Sequence, residues 1–250
     1  MARTKDARHS GFGLGIQLLE HLADAPAPQG VSQVAKALGM AVSTTHDTLH
    51  LLMELGMVEM REETKTYDIT PRLLDLASHI ARHFTFNSRV HQELLKFSHE
   101  EGLSACLCLL DGCVSRIAFA SGPLGSTVVI GAGGPVYATS AGKVMVACLP
   151  RREWEAFMPE ADAPHRTPGT NTDPAVFRSE LEQACKQGIA WNHQESEENI
   201  VSVAAAIRSR DGECRHAVAL MFEADDMRFV NEAGMEEKVR ALADTLTSLM

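Results

Sequence analysis

Leu14, Leu18, Leu19 and Leu22 fall on one helical face between residues 12 and 23, and Pro26, Pro28 and Gly30 end that run. Val31–Leu38 is a second short amphipathic segment, with Ser32 as a candidate N-cap and Gly39 as its stop. A third helix is expected from Ser43, capped by that hydroxyl, buried through Leu49, Leu52 and Met53, and closed at Gly56. Val58–Arg61 and Thr66–Ile69 then flank the polar tip Glu62-Glu63-Thr64-Lys65, the pattern of a hairpin. Three short helices, a tight turn before the third, and a hairpin describe a winged helix-turn-helix over residues 1–70.

Pro71 suits the first position of a following helix, and residues 71–87 read as a linker helix with Leu73, Leu76, Ala77, Ile80 and Phe84 along one side. That stripe needs a partner surface, which predicts a homodimer at least. From residue 88 to 250 the pattern becomes α+β. It predicts helices over 88–101, 140–149 and 174–187, and a final one carrying Met235, Val239, Leu242, Leu246 and Leu249. Strands are expected near 103–110, 113–120, 126–131, 189–192, 200–207 and 214–222. Asp111-Gly112 serves as one hairpin turn and Arg210-Asp211-Gly212-Glu213 as another. An antiparallel sheet flanked by helices suits a domain that holds a small molecule.

Composition narrows the class. The chain is 45% hydrophobic and 22% charged, enough for a buried core, and no run approaches the ~20 apolar residues of a bilayer span. The polar start of the chain is no secretory signal, so a cytoplasmic protein is expected. The six cysteines form no C-x-x-C pair, and Cys106 and Cys108 read as small buried hydrophobes. Neither a metal site nor a cofactor is suggested. The net charge is −10, and residues 1–70 hold six Lys/Arg against nine Asp/Glu, so charge gives DNA binding no support. There is no nucleophile elbow with triad order and no metal-ligand spacing, which argues against an enzyme.

Several stretches together resemble the IclR family of bacterial transcriptional regulators. They are Gly30 through His46, Leu49 through Val58, Pro135-Val136-Tyr137-Ala138-Thr139-Ser140-Ala141-Gly142-Lys143-Val144, Gly188 through Glu195, and Ile200–Ile207. The resemblance covers nearly the whole chain in order and spacing. It implies a GAF-like effector-binding domain after the winged helix, a double-stranded operator as partner, and a metabolite that changes operator binding. This sequence departs from the family at Asp47 (usually Arg), Asn192 (usually Asp), Ala219 and Met221 (usually Ser/Thr-like), and Phe222-Glu223-Ala224 (usually S-G-P).

Two candidate sites follow. The recognition helix offers Ser43, Thr44, Thr45, His46, Asp47 and His50 to a major groove, with Lys65 on the wing and Arg3 in a basic N-terminal tail. A sensor that keeps this fold without sequence-specific DNA binding is the alternative, favoured by Asp47 and the negative N-terminal charge. The second site joins the helix start Ser140-Ala141-Gly142, whose amides suit a carboxylate, to Asn192 and Ser202. Val128, Ile130, Ala219 and Met221 are its expected apolar walls, fitting an organic acid larger than a two- or three-carbon keto acid. Lys143 does not complete a phosphate loop, because Tyr137 and Val144 occupy two of its required positions; it is expected at the surface or in an ion pair. Glu195, Glu197 and Glu198 are expected in a solvated loop, and His165 and Arg166 in a surface loop without a role.

Overall fold

A computed structural model describes residues 10–77, 88–126, 128–208, 214–226 and 231–249. The chain divides into two compact units, residues 1–82 and 83–250. In the first, α1 (Gly11–Asp24), α2 (Val31–Leu38) and α3 (Val42–Glu54) precede the hairpin of β2 (Val58–Arg61) and β3 (Thr66–Ile69). A short strand β1 (Gln29–Gly30), absent from the sequence reading, pairs with β3 to complete a sheet of order β1-β3-β2. Leu18, Leu22, Val34, Leu49, Leu52, Val58 and Tyr67 form one core beneath these elements.

The helix caps differ from expectation in two places. Ser32 lies inside α2; Gly30 is its N-cap, and the Gln33 side chain reaches back to accept from the Gly30 amide at 2.7 Å. Ser43 lies inside α3, which starts from Ala41 without a side-chain cap. Gly39 does stop α2, in the left-handed region at φ 65°. Residues 72–77 begin the helix expected after Pro71, with Leu74 and Leu76 exposed; Ile80 and Phe84 lie outside the described residues.

The second unit contains α4 (Ser88–Glu101), β4 (Ser104–Asp111), β5 (Val114–Ser121), β6 (Gly133–Pro135), α5 (Ser140–Ala147), α6 (Pro174–Gln187), β7 (Ile189–His193), β8 (Ile200–Ile207), β9 (His216–Glu223) and α7 (Glu232–Leu249). Six strands form an antiparallel sheet of order β6-β5-β4-β9-β8-β7. The strand expected at 126–131 is not one. Residues 128–131 make bends and turns, and the third strand is Gly133–Pro135. The first hairpin turns at Gly112-Cys113, one residue later than expected, because Asp111 pairs with Val114. The expected turn at 210–213 lies outside the described residues.

Side chains alternate across this sheet, and each face has its own cover. Leu107, Val203, Val218 and Leu220 pack with Val90 and Leu94 of α4 and Val239 and Leu246 of α7. Cys106, Cys108, Ala204 and Ala219 point to the other face, against Val144 and Met145 of α5 and Phe177 and Leu181 of α6. That second face holds the cavity described next.

Candidate functional site

Of the residues expected to face a groove, Ser43, Thr44, His46, Asp47 and His50 are exposed on α3, as are Val42, Leu51 and Glu54. Thr45 does not join them. It is fully buried and its hydroxyl donates to the Ala41 carbonyl at 3.1 Å, so it belongs to the core and not to a groove-facing surface. His46 Nδ1 lies 3.6 Å from the Asp47 carboxylate, and His50 Nδ1 lies 3.5 Å from Glu54. Asp47, with 80% of its side chain exposed, is more open than His46, His50 or Glu54, so its charge is directed into solvent. Lys65 sits at the wing tip in a left-handed conformation, φ 52°, with its ammonium paired to Glu62. Arg3 lies outside the described residues.

In the second unit a cavity of ≈ 160 Å³ opens between the start of α5 and the sheet. Register explains how distant residues meet there. Cys106 pairs with Ala219, Ser202 with both Met221 and Asn192, and Cys108 with Ile117, which puts one row of side chains across five strands on the same face. Cys106, Cys108, Ile117, Ala219 and Met221 form the apolar floor, with Cys106 Sγ 3.2 Å from Met221 Sδ. Desolvation raises the Cys106 thiol well above its ordinary range, with a smaller push from Cys108; desolvation also lifts Cys108 to about 12, against a hydrogen bond from Ser115. Both sulfurs therefore stay protonated at neutral pH and act as soft, polarisable packing.

The polar side is formed by Ser140, Ser202, Asn192, Ser196 and Arg166. The Ser140 and Ser202 hydroxyls hydrogen-bond at 2.8 Å, tying α5 to β8 at the cavity wall. Among the expected lining residues, Ser140, Ala141, Asn192, Ser202, Ala219 and Met221 are brought together. Three are not. Ile130 is 57% exposed in the turn that replaced the expected strand. Val128 packs on the core beside the cavity. Gly142 does not line the cavity: its amide donates to Oγ1 of Thr139, the N-cap of α5, at 3.2 Å. A Cβ at Gly142 would meet the Val136 carbonyl oxygen at 2.7 Å, so the glycine lets the helix start press against the preceding turn.

Lys143 takes the ion-pair alternative, buried and not at the surface, while Glu195 departs from the solvated loop expected for it. Lys143 is 2% exposed, and its ammonium donates to Glu195 at 2.7 and 2.8 Å and to Glu180 at 2.8 Å. Glu195 is buried, while Glu197 and Glu198 are exposed as expected. Burial raises the Glu180 carboxyl against the opposing pull of Lys143. This clamp holds the loop after β7 to α5. Asn192 Oδ1 accepts from the Glu195 amide at 2.7 Å, and Asn192 Nδ2 donates to Ser196 Oγ at 2.8 Å. From the opposite side Thr170 donates to the Glu195 carbonyl at 2.6 Å, and Arg166 Nε donates to the Ser196 carbonyl at 3.1 Å.

Arg166 is the residue that sequence reasoning missed. Among the residues lining the cavity it is the one cation, and Glu197 the one carboxylate. Its segment, Pro164 through Gly169, has no periodicity to signal a role; only the T-x-x-T pair Thr167 and Thr170, whose hydroxyls fold it onto the β7 loop, marks it as ordered. No group of three or more His, Cys, Asp or Glu among the described residues could hold a metal ion.

Residues 91–248 match the C-terminal domain model of the bacterial transcriptional regulator IclR, and residues 15–62 match the IclR helix-turn-helix domain. The chain belongs to the IclR family of bacterial transcriptional regulators. An HTH-type transcriptional regulator of Mycobacterium tuberculosis is 27% identical over 213 residues, covering 83% of this chain and 81% of that one. The transcriptional repressor IclR of Escherichia coli is 22% identical, covering 77% of this chain and 72% of its own length. The fold matches that of the crystal structure of Thermotoga maritima IclR, with a TM-score of 0.70 and 24% identity over 94% of this chain and 98% of that one. It also matches an IclR homologue complexed with 4-hydroxybenzoate from Microbacterium hydrocarbonoxydans, with a TM-score of 0.72 and 18% identity over 96% and 98%. As an IclR-family protein the chain is a transcriptional regulator with a helix-turn-helix and an α+β C-terminal domain, and its relatives carry regulator names rather than enzyme names. No helix among the described residues is long and apolar enough to cross a membrane.

Proposed function

We propose that this IclR-family protein is a ligand-responsive regulator whose C-terminal cavity takes a single-ring organic acid and whose exposed α3 face contacts the operator. The cavity carries this reading. Its volume, ≈ 160 Å³, is close to the ~150 Å³ of an apolar protein cavity that accepts benzene, so one ring fills it. Its floor of protonated thiols, a thioether and Ile117 suits a ring face, since sulfur–aromatic contacts are favourable. Arg166 supplies the charge for a carboxylate, and the Ala141 amide at the second position of α5 adds a donor. Asn192 and the Ser140/Ser202 pair suit a ring hydroxyl or a second acid oxygen. The 4-hydroxybenzoate complex of the Microbacterium homologue supports the choice of class.

Thermal shift with benzoate and 4-hydroxybenzoate tests the ligand. A ligand at 100 times its dissociation constant adds ~2.7 kcal/mol to apparent stability, and no shift with either acid overturns the assignment. A gel shift on the DNA upstream of the protein's own gene tests the operator. Failure to bind it, or to bind any duplex, favours a sensor that has lost DNA recognition, a reading that the outward carboxylate of Asp47 supports. Leu74 and Leu76, 73% and 49% exposed in the linker, support assembly as a homodimer or tetramer. A monomer at micromolar concentration in sedimentation overturns that.

A further inference from the structure

His46 and His50 lie one turn apart on the outer face of α3, at the i, i+4 spacing at which two imidazoles on a helix share one metal ion. Two ligands fall short of the three or four protein groups that a resident ion takes, so the spacing by itself signals no metal centre. The side-chain geometry goes further. The two ring centroids are 6.4 Å apart. Imidazoles that share an ion, each nitrogen ~2.1 Å from it, have centroids ~4.5–5.5 Å apart, and rotation of the two side chains closes that difference. Both are free to rotate, being exposed at 56% and 63%. Each ring also has a carboxylate beside one nitrogen: His46 Nδ1 is 3.6 Å from Asp47, and His50 Nδ1 is 3.5 Å from Glu54. Metal-ligating histidines turn one ring nitrogen to such a group, which fixes the tautomer and makes the other nitrogen a better ligand. In both rings Nε2 is the atom left for the ion.

We propose that His46 and His50 form a binding site for a divalent transition-metal ion of the nickel or zinc class, with water completing its coordination. Imidazole selects these metals, whereas magnesium and calcium take oxygen ligands and are not candidates. The surroundings favour a cation. Asp47 and Glu54 place two carboxylates beside the two rings, and α3 carries no Lys or Arg to oppose the ion.

The consequence for DNA rests on the reading of α3 as the helix that faces the operator. Without an ion this face presents the negative charge of Asp47 and Glu54 to the phosphates. A bound divalent ion cancels that charge, and phosphate oxygens can take the place of its waters. Occupancy therefore tightens duplex binding without regard to sequence, because phosphate contacts carry no sequence information.

Nickel(II) chloride, titrated calorimetrically into the full-length protein free of any affinity tag, is the probe. His46→Ala and His50→Ala should each weaken one equivalent of binding at least tenfold, while His99→Ala, which removes an exposed histidine of α4, should match the wild type. In the wild type nickel should shield His46 and His50 from diethyl pyrocarbonate, read by peptide mapping, and this result decides alone if a variant fails to fold. Isotherms of both variants that superimpose on the wild type overturn the site, as does a loss in only one of them, since a single imidazole then suffices. Nickel should also tighten the wild type on a scrambled duplex by about three- to tenfold and leave His50→Ala unmoved. Nickel binding without that gain overturns the link to DNA. Failure to bind any duplex, with or without nickel, overturns the operator reading of α3 and leaves the calorimetric result standing.

Discussion

Helices α3 and α5 each open a candidate site, and they are built on opposite terms. In α3 only Thr45, Leu49 and Leu52 are buried; the outer face is left to Thr44, His46, Asp47 and His50. In α5 all eight residues are buried, including a lysine, and its first turn is held by Thr139, Ser202 and the turn at Val136. A surface that meets a solvated macromolecule keeps its polar groups in water until the partner arrives. A cavity for a small molecule must satisfy its polar groups internally beforehand, because an unpaired buried group is costly.

Lys143→Met should break this contrast most strongly. It leaves Glu195, with 10% of its side chain exposed, facing an apolar group. Removing one partner of a buried pair costs about 3–5 kcal/mol, to be read by urea denaturation. On α3 the His50–Glu54 pair is exposed by more than 60% at both side chains, and His50→Ala should stay within ~0.5 kcal/mol. Equal costs for the two variants would erase the distinction.

Two glycines sharpen the same point. Gly142→Ala should cost ~1–3 kcal/mol, because the added carbon meets Val136 and Thr139 atoms at 2.5 to 2.7 Å in a packed turn. Gly15→Ala in the interior of α1 should instead stabilise by ~0.5–1 kcal/mol, since its Cβ meets only Leu52 at 3.9 Å. The comparison of melting temperatures needs no ligand. If Gly142→Ala were neutral, the tight start of α5 would not be what the glycine serves.

Asn192→Asp probes the cavity itself. Asp keeps the acceptor for the Glu195 amide, loses the donor to Ser196, and sets a carboxylate beside the ligand's own. Binding of an aromatic acid that shifts the wild type should weaken about tenfold, or ~1.4 kcal/mol, by calorimetry. Unchanged affinity would remove Asn192 from the ligand's surroundings.

The two regions also differ in how much of them the sequence discloses. In the N-terminal unit helix and hairpin positions follow from local periodicity and turn residues, and the misses are single caps: Ser32 and Ser43 look like caps, while the chain uses Gly30 and Ala41. Thr45 was misplaced because a threonine reads as polar, yet its hydroxyl is satisfied by its own helix and its methyl packs inward. In the C-terminal unit the family resemblance groups Asn192, Ala219 and Met221 with Ser202, and the four line one cavity. Strand periodicity does less well. It fails for Ile130, whose β-branched run 128–130 mimics a strand but serves as a turn. Arg166, Glu195 and the partners of Lys143 are unreadable for a different reason. Their roles rest on contacts spanning 30 residues for Arg166–Ser196 and 52 for Lys143–Glu195, which no local pattern encodes.

The smallest expected effect concerns Asp47, on the solvated side of the comparison. Its carboxylate is 80% exposed, with His46 3.6 Å away. Facing a duplex it meets phosphates of the same sign, unless it accepts a hydrogen bond from cytosine N4. Asp47→Arg separates these. Repulsion alone predicts tighter binding to operator and scrambled duplex alike, with the slope of log K against log salt steeper by about one unit, the mark of one more phosphate neutralised. A cytosine contact predicts the same gain on scrambled DNA but a loss of ~1–3 kcal/mol in preference for the operator. Repulsion is the expected outcome, because the His46 side chain competes for the same carboxylate and a solvated acid gains little from one base edge. The stability of the free protein should not move, since nothing in the core touches position 47. An unchanged slope on both duplexes would turn this side of α3 away from the groove, and the outer face of α3 would then be solvated for reasons other than DNA.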